Sequence, residues 1–314
     1  MLIGLPLSTM ALLLVAGLVL DLLLGEARRW HPLVGFGNLA ATIERRLNRG
    51  SARLLRGSVA WALAVLPPSL LFLVLADVAG LWLHAVLLYL CIGLRSLRDH
   101  TLPIYEALRA GDLAQARALT ARIVSRDTAN AEEADLAKAS AESLLENGND
   151  AVFGTLFWFI LLGGPGAVLF RLANTLDAMW GYRSARFNLF GRCAARVDDV
   201  MNYLPARLTA LSYVLLAGPG RARAWQCWHT QAPAWSSPNA GPVMASGAGA
   251  LGISLGGAAV YDGAVEQRPP LGSGPAAGAG DILRAWQLVW RTACMWAAAT
   301  CLLAVLLAVG AAYA

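Results

Sequence analysis

Along the chain, apolar residues gather into four runs that approach or reach the length needed to cross a bilayer: Leu2 to Leu24, Gly57 to Ala76, Val78 to Leu94 and Thr292 to Tyr313. About 20 largely apolar residues in a helix span roughly 30 Å of hydrocarbon. The first run lacks a basic segment ahead of it and carries Asp21 near its end, so it reads as an uncleaved span rather than a removed signal. Only Asp77 separates the second and third runs, which predicts a tight hairpin at that residue, and Pro67-Pro68 predict a kink in the second.

Two further apolar stretches read differently. Ala151 to Ala173 is long enough to cross, but Gly163-Gly164-Pro165-Gly166 breaks it into half-length pieces. Arginine-rich short loops stay cytoplasmic. Residues 25–56 carry Arg28, Arg29, Arg45, Arg46, Arg49, Arg53 and Arg56, which places that loop in the cytoplasm. A single crossing at 151–173 would then put Arg183, Arg186, Arg192 and Arg196 outside, so this stretch and Leu204 to Ala217 read as re-entrant or buried.

The polar parts between them have helical periodicity. Asp112 is placed to cap a helix bearing Leu113, Ala116, Leu119 and Ile123, and a second helix runs from about Ala131 to Asn147 with Gly148 as its stop. Residues 268–280, rich in Pro and Gly, read as a flexible loop. The expected fold is an all-α, polytopic membrane protein with about four spanning helices, one or two re-entrant or buried segments, and cytoplasmic helices. Its regions are 1–94 (three spans), 95–150 (cytoplasmic helices), 151–217 (re-entrant helices with the main polar motif), 218–291 (cytoplasmic loops) and 292–314 (a last span).

Composition agrees with this pattern. Of 314 residues 57% are hydrophobic and 14% charged, against about 25% charged in a soluble domain. Five cysteines are too sparse for a disulfide scaffold. All but one of the 25 basic residues are arginine, and the single lysine, Lys138, follows an alanine. A phosphate-cradling loop ending in Gly-Lys-Ser/Thr is therefore absent, and any nucleotide chemistry must use arginine and metal. Gly247 to Gly252 fits G-x-G-x-x-G without the strand that a dinucleotide site needs, and Gly252 to Gly256 fits G-x-S-x-G although no histidine follows it.

Three polar clusters stand out. Asp198, Asp199 and Asn202 lie within one helical turn, a pattern that suits magnesium shared with substrate phosphates, and Arg183, Arg186, Arg196 and Arg207 flank them as phosphate or carboxylate partners. Glu142 and Glu146 are i,i+4 neighbours, a repulsive pair unless a cation lies between them. Glu26, Arg28 and His31 stand at the cytoplasmic end of the first span.

The stretches DLLLGEARRWHPLVGFG (21–37), ESLLENGNDAVFGTLFW (142–158), RLANTLDAMWGYRSARFNLFGRCAARVDDVMNYLPARLTAL (171–211) and SPNAGPVMASGAGALGISLGG (237–257) together resemble the adenosylcobinamide-phosphate synthase family of cobalamin biosynthesis. The resemblance implies an integral membrane ligase that uses ATP and magnesium to join adenosylcobyric acid, a corrinoid, to (R)-1-amino-2-propanol O-2-phosphate or a related aminoalcohol phosphate. Amide formation calls for an activated carboxylate, most simply an acyl phosphate. On that basis Asp198, Asp199 and Glu146 are candidate metal ligands, and Arg196 and Arg207 serve the transferred group. Glu142 or Asp177 is the expected base. Asn174, Arg183, Arg186, Asn239, Tyr182, Glu26, Arg28 and His31 are candidate contacts to bound molecules, with Trp180, Phe187 and Phe190 as further apolar walls.

The expected location is the inner membrane, with the active face cytoplasmic and other late cobalamin-pathway membrane enzymes as neighbours; no nucleic-acid partner is expected. The alternatives are a magnesium-dependent membrane prenyl- or phosphoalcohol-transferase and a non-catalytic membrane sensor or assembly subunit.

Overall fold

In a computed structural model, which describes residues 4–26 and 31–312, helices dominate. In chain order they are α1 (Leu7–Leu24), α2 (Pro32–Leu47), α3 (Arg53–Ala79), α4 (Leu81–Cys91), α5 (Leu94–Arg109) and α6 (Leu113–Thr120). There follow α7 (Glu133–Asn147), α8 (Gly154–Trp180), α9 (Arg192–Leu216), α10 (Arg221–Gln231), α11 (Ala240–Leu251) and α12 (Ala279–Ala312). Strands β1 (Ser254–Tyr261) and β2 (Ala264–Gly272) lie between α11 and α12. The chain forms two compact units: Met1–Gly93, Asp150–Asn202 and Trp296–Ala314 in one, Leu94–Asn149 and Tyr203–Met295 in the other.

In the first unit, α4 packs on α1 and α8, and α3 packs on α8. Asp77 lies inside α3, and the turn expected there comes three residues later at Gly80, where φ is +85° and a side chain would be strained. Pro67-Pro68 are carried within α3 without ending it. α8 is two limbs, because Gly163 (φ +65°, ψ −157°) leaves the helical region. Residues eight apart on a straight helix lie about 12 Å apart. Here a Cβ on Gly166 would fall 2.4 Å from the carbonyl oxygen of Trp158, and one on Gly154 would meet the Phe170 ring at 2.2 Å. The chain therefore doubles back at Gly163, and residues 154–162, about 13 Å of helix, are too short to cross a bilayer. The break frees the Gly164 N–H, which donates to Nδ1 of buried His84 on α4 at 3.0 Å.

By length and composition alone, five helical stretches among the described residues suffice to cross a membrane: Leu7–Leu24, Arg53–Ala79, Leu81–Arg109, Glu133–Trp180, which reverses at Gly163, and Ala279–Ala312. Large apolar side chains face outward on several of them, including Leu12, Leu70, Val74, Val78, Trp82, Leu302 and Leu306. Such continuous apolar exposure is stable only in lipid, and the chain is a multi-pass membrane protein.

In the second unit α5, α6 and α7 pack together, and Asp112 Oδ1 accepts the Gln115 N–H at 2.9 Å as the cap of α6. Gly148 does not stop α7, because its backbone stays right-handed helical and the chain continues through one π-helical turn, Gly148–Phe153, into α8. Leu204 to Ala217 forms no separate segment either, since nearly all of it is the second half of α9. On α11, Gly247 and Gly249 let Leu145 and the Ala224 backbone approach closely; an added Cβ would lie 2.7 Å from each.

β1 and β2 pair antiparallel across Asp262-Gly263, both at positive φ (+49° and +75°), the geometry of a two-residue I′ turn. The stretch expected as a flexible loop thus begins as paired strand, with Arg268 opposite Gly257 and Gly272 opposite Ser254. α12 starts at Ala279, well ahead of the apolar run from Thr292.

Gly57 tests the packing of the first unit. A Cβ there would sit 1.9 Å from the Phe190 carbonyl oxygen, whereas none would meet anything within 4 Å at Gly35. Gly57→Ala should cost about 1–3 kcal/mol and lower the melting temperature in detergent by several degrees. Gly35→Ala should not, and equal melting of the two variants would contradict the packing.

Candidate functional site

The first unit gathers a polar network from three places in the sequence. The spacing of Arg171, Asn174 and Asp177 puts them on one face of the second limb of α8, and Asp198, Asp199 and Asn202 share a turn of α9. Asp150 comes from the π-helical turn. Asp198 is buried and accepts hydrogen bonds from Asn174 Nδ2 (3.2 Å) and Asn202 Nδ2 (3.2 and 3.3 Å). The Asn202 amide also donates to Asp150 Oδ1 at 3.2 Å. Arg171 Nη1 donates to Asn174 Oδ1 (3.0 Å) and to the Asp150 carbonyl (3.3 Å).

Burial, and then the charge of Asp150, push the Asp198 carboxyl up to about 7, against the pull of the two amides. Burial also raises Asp199, while Arg196 and Arg183 oppose that shift. Asp177 lies within electrostatic reach of both. Of the expected residues the structure therefore brings together Asn174, Asp177, Arg183, Arg196, Asp198 and Asp199.

Others have different roles. Arg186, expected on a substrate phosphate, is held by Glu44 of α2 through Nε (3.0 Å) and Nη2 (2.6 Å). That forked contact, chiefly, holds the Glu44 carboxyl below its usual range. His31 caps α2, its Nδ1 accepting the Leu33 N–H at 3.2 Å with Pro32 in the first helical position. Trp180 and Phe190 are core residues in edge contact at 5.1 Å, while Tyr182 is exposed and Phe187 half-buried. Glu26 is exposed after α1, and Arg28 lies outside the described residues.

In the second unit, Arg207 Nη1 donates to Asn239 Oδ1 at 2.7 Å and its Nη2 to the Pro238 carbonyl at 2.9 Å, so these two expected residues meet. Glu142, a candidate base, is instead the centre of an ion cluster. Its oxygens accept the Gly256 N–H (2.7 Å), Arg268 Nη1 (3.0 Å) and Nη2 (3.1 Å), and Arg126 Nη2. A carboxylate saturated in this way is a poor proton acceptor. Glu146 belongs to this unit, whereas Asp198 and Asp199 belong to the other. Among the described residues no three His, Cys, Asp or Glu side chains are gathered to hold a metal ion.

Arg126, Arg171, Arg268 and Glu44 have no role in the sequence motifs. Arg171 had a readable signal, a charge closing an apolar run. The other three had none, because their partners are distant in sequence.

With this geometry in view, the chain matches the family model described as CobD/Cbib protein over residues 14–289. It is 56% identical to the cobalamin biosynthesis protein CobD of Stutzerimonas stutzeri (strain A1501) over 287 residues, 90% of this chain and 94% of the relative. It is 53% identical to the protein of that name from Chromobacterium violaceum over 306 residues, 95% and 97% of the two chains. No solved structure matches. The chain belongs to the CobD/Cbib family of cobalamin biosynthesis.

The raised Asp198 carboxyl sets a pH dependence. The folded state binds its proton more tightly than the unfolded chain, whose aspartates titrate near 3.9, so stability should fall as pH rises from about 4 through 7. Asp198→Asn has no charge to bury and should flatten that decline. Chemical denaturation of both proteins at pH 6 and pH 8 checks this, and parallel curves would remove the buried, raised carboxyl.

Proposed function

We propose that the chain is an adenosylcobinamide-phosphate synthase, an ATP-dependent carbon–nitrogen ligase that joins adenosylcobyric acid to (R)-1-amino-2-propanol O-2-phosphate or a related aminoalcohol phosphate. The observation that carries the reading is the network of buried Asn174, Asp198 and Asn202 with half-buried Asp150 and Arg171, in a membrane protein of the cobalamin family. An apolar fold retains so many coupled polar groups at a cost, and they cluster where chemistry needs them.

In the proposed reaction a corrinoid carboxylate oxygen attacks the terminal phosphorus of ATP, giving an acyl phosphate and ADP. The amine nitrogen then attacks the acyl carbon, losing a proton as inorganic phosphate leaves. Magnesium arriving with the nucleotide would neutralise phosphate charge, and its habit of taking one or two carboxylates plus phosphate oxygens suits Asp198 and Asp199. Arg183 and Arg196, which flank Asp199, serve the phosphates as guanidinium donors. Of the two bases expected from the sequence, Glu142 is engaged by two arginines, which leaves Asp177 as the candidate that takes the proton the amine loses. Asn174 and Asn202 fix the Asp198 carboxylate in one orientation.

Product analysis tests the reading. Full-length protein in nanodiscs, given ATP, magnesium and both substrates, should release one ADP and one phosphate per amide formed. Asp199→Asn should lower turnover by roughly 10²–10³-fold with unchanged melting. Coupling without ATP consumption would favour the transferase alternative, and no turnover at all would favour the non-catalytic one. The proposed inner-membrane orientation has its own test: a cysteine replacing exposed Asn188 should react with impermeant reagent only after the cytoplasmic side is opened, and labelling of intact spheroplasts would reverse the topology.

A further inference from the structure

The second unit holds a cavity of about 420 Å³ beside α7, at the small end of ligand pockets, which run roughly 300–1,000 Å³. Its walls include Arg126, Arg268, Glu142, Glu146, Asn147 and Trp235. One carboxylate, Glu142, pairs with both guanidiniums, so the trio keeps one net positive charge. Arg268 is fixed further by the Gly256 and Gly257 carbonyls (both 3.3 Å) and by the Trp235 ring, 5.5 Å from its guanidinium carbon.

Arg126 is less complete. Its Nη1 is buried and donates to nothing, and a buried N–H of this kind calls for an acceptor. The segment that carries it is pinned in place: the Asp127 N–H donates to the Val260 carbonyl (2.8 Å), Asp127 Oδ2 accepts the Gly263 N–H (2.7 Å), and Ser143 Oγ donates to the Ile123 carbonyl (3.3 Å). One helical turn beyond Glu142, Glu146 brings negative charge to the same cavity, and Glu266 adds another carboxylate to its wall. Positive and negative groups thus line one small space.

We infer that this cavity binds a small zwitterion carrying both a phosphate and an ammonium, with the phosphate toward Arg126 and Arg268 and the ammonium toward Glu146. Identifying that ligand with the amine substrate rests on the ligase reading above. It also gives a phosphate-binding role to Arg126, which keeps a buried donor, Nη1, after its Nη2 has gone to Glu142.

Calorimetry on the full chain in detergent tests this with three probes: ethanolamine phosphate, inorganic phosphate and ethanolamine. Wild type should bind ethanolamine phosphate at least tenfold more tightly than either fragment. Glu146→Gln should weaken ethanolamine phosphate at least tenfold and leave inorganic phosphate within twofold. Arg126→Lys, which keeps a charge near Glu142 but loses the forked donor, should weaken both. Should Arg126→Lys fail to fold, the split seen in Glu146→Gln decides alone.

Absence of binding in wild type, equal weakening of both probes by Glu146→Gln, or no effect of that variant would overturn the site. Amide formation is followed on the same preparations. Wild type that makes product while Glu146→Gln binds both probes normally loses this site and keeps the ligase reading; wild type that makes none yet shows the split keeps the site and loses that reading.

Discussion

One hydrogen bond makes the first unit possible: the Gly164 N–H donating to His84 Nδ1. A helix that breaks inside an apolar segment exposes backbone donors that lipid cannot satisfy. Gly163 supplies the backbone conformation for a sharp reversal. His84, buried on the neighbouring helix α4, accepts the first N–H of the returning limb, as a capping side chain would. With that donor satisfied, Gly154 and Gly166 let the two limbs of α8 close on each other. The returning limb then has the length and direction to bring Arg171, Asn174 and Asp177 to the Asp198 turn of α9. Bulk at Gly154 or Gly166 would act on the polar network through the angle between the limbs, with no contact to it.

Charge is handled differently in the two units. Around Asp198 the neutral amides of Asn174 and Asn202 do most of the satisfying, and the neighbouring carboxylates keep one another under electrostatic pressure. A group held in this way is poised to exchange a proton or accept a cation. Around Glu142 full counter-charges do the work. Two arginines from separate segments and a backbone N–H from β1 converge on one carboxylate, which ties the 123–128 segment and the β-hairpin to α7. Breaking such a buried pair leaves an uncompensated charge, so Glu142 stabilises the fold by organising its neighbours.

The apolar pattern was the most legible part of the chain, because lipid imposes a length and an all-round hydrophobicity that few other environments require. The breaking glycines at 163–166 and the helical spacing of Asp198, Asp199 and Asn202 were also readable, since both are local. The β-hairpin carried a local signal as well, Asp262-Gly263 between strand-forming residues, but the surrounding glycine and proline read as loop. The α3 turn falls at Gly80 rather than Asp77 because a lone aspartate leaves the helical hydrogen bonds intact, whereas a glycine at positive φ ends them.

What no pattern in the chain announces is pairing across distance. Glu44 and Arg186 stand far apart in sequence, as do Glu142 and Arg268. Each arginine looked available when only its neighbours in the chain were considered, and each carboxylate looked like a ligand or a base. Folding assigns them to one another because an apolar interior makes an unpaired charge costly. The useful question in a chain this poor in charge is therefore which ionisable groups still have unused donors once the pairing is complete. Arg126 is the instructive case, with one nitrogen on Glu142 and the other buried without a partner. The fold has set the plane of that guanidinium, and the open donor points to a negatively charged group that the chain itself does not provide.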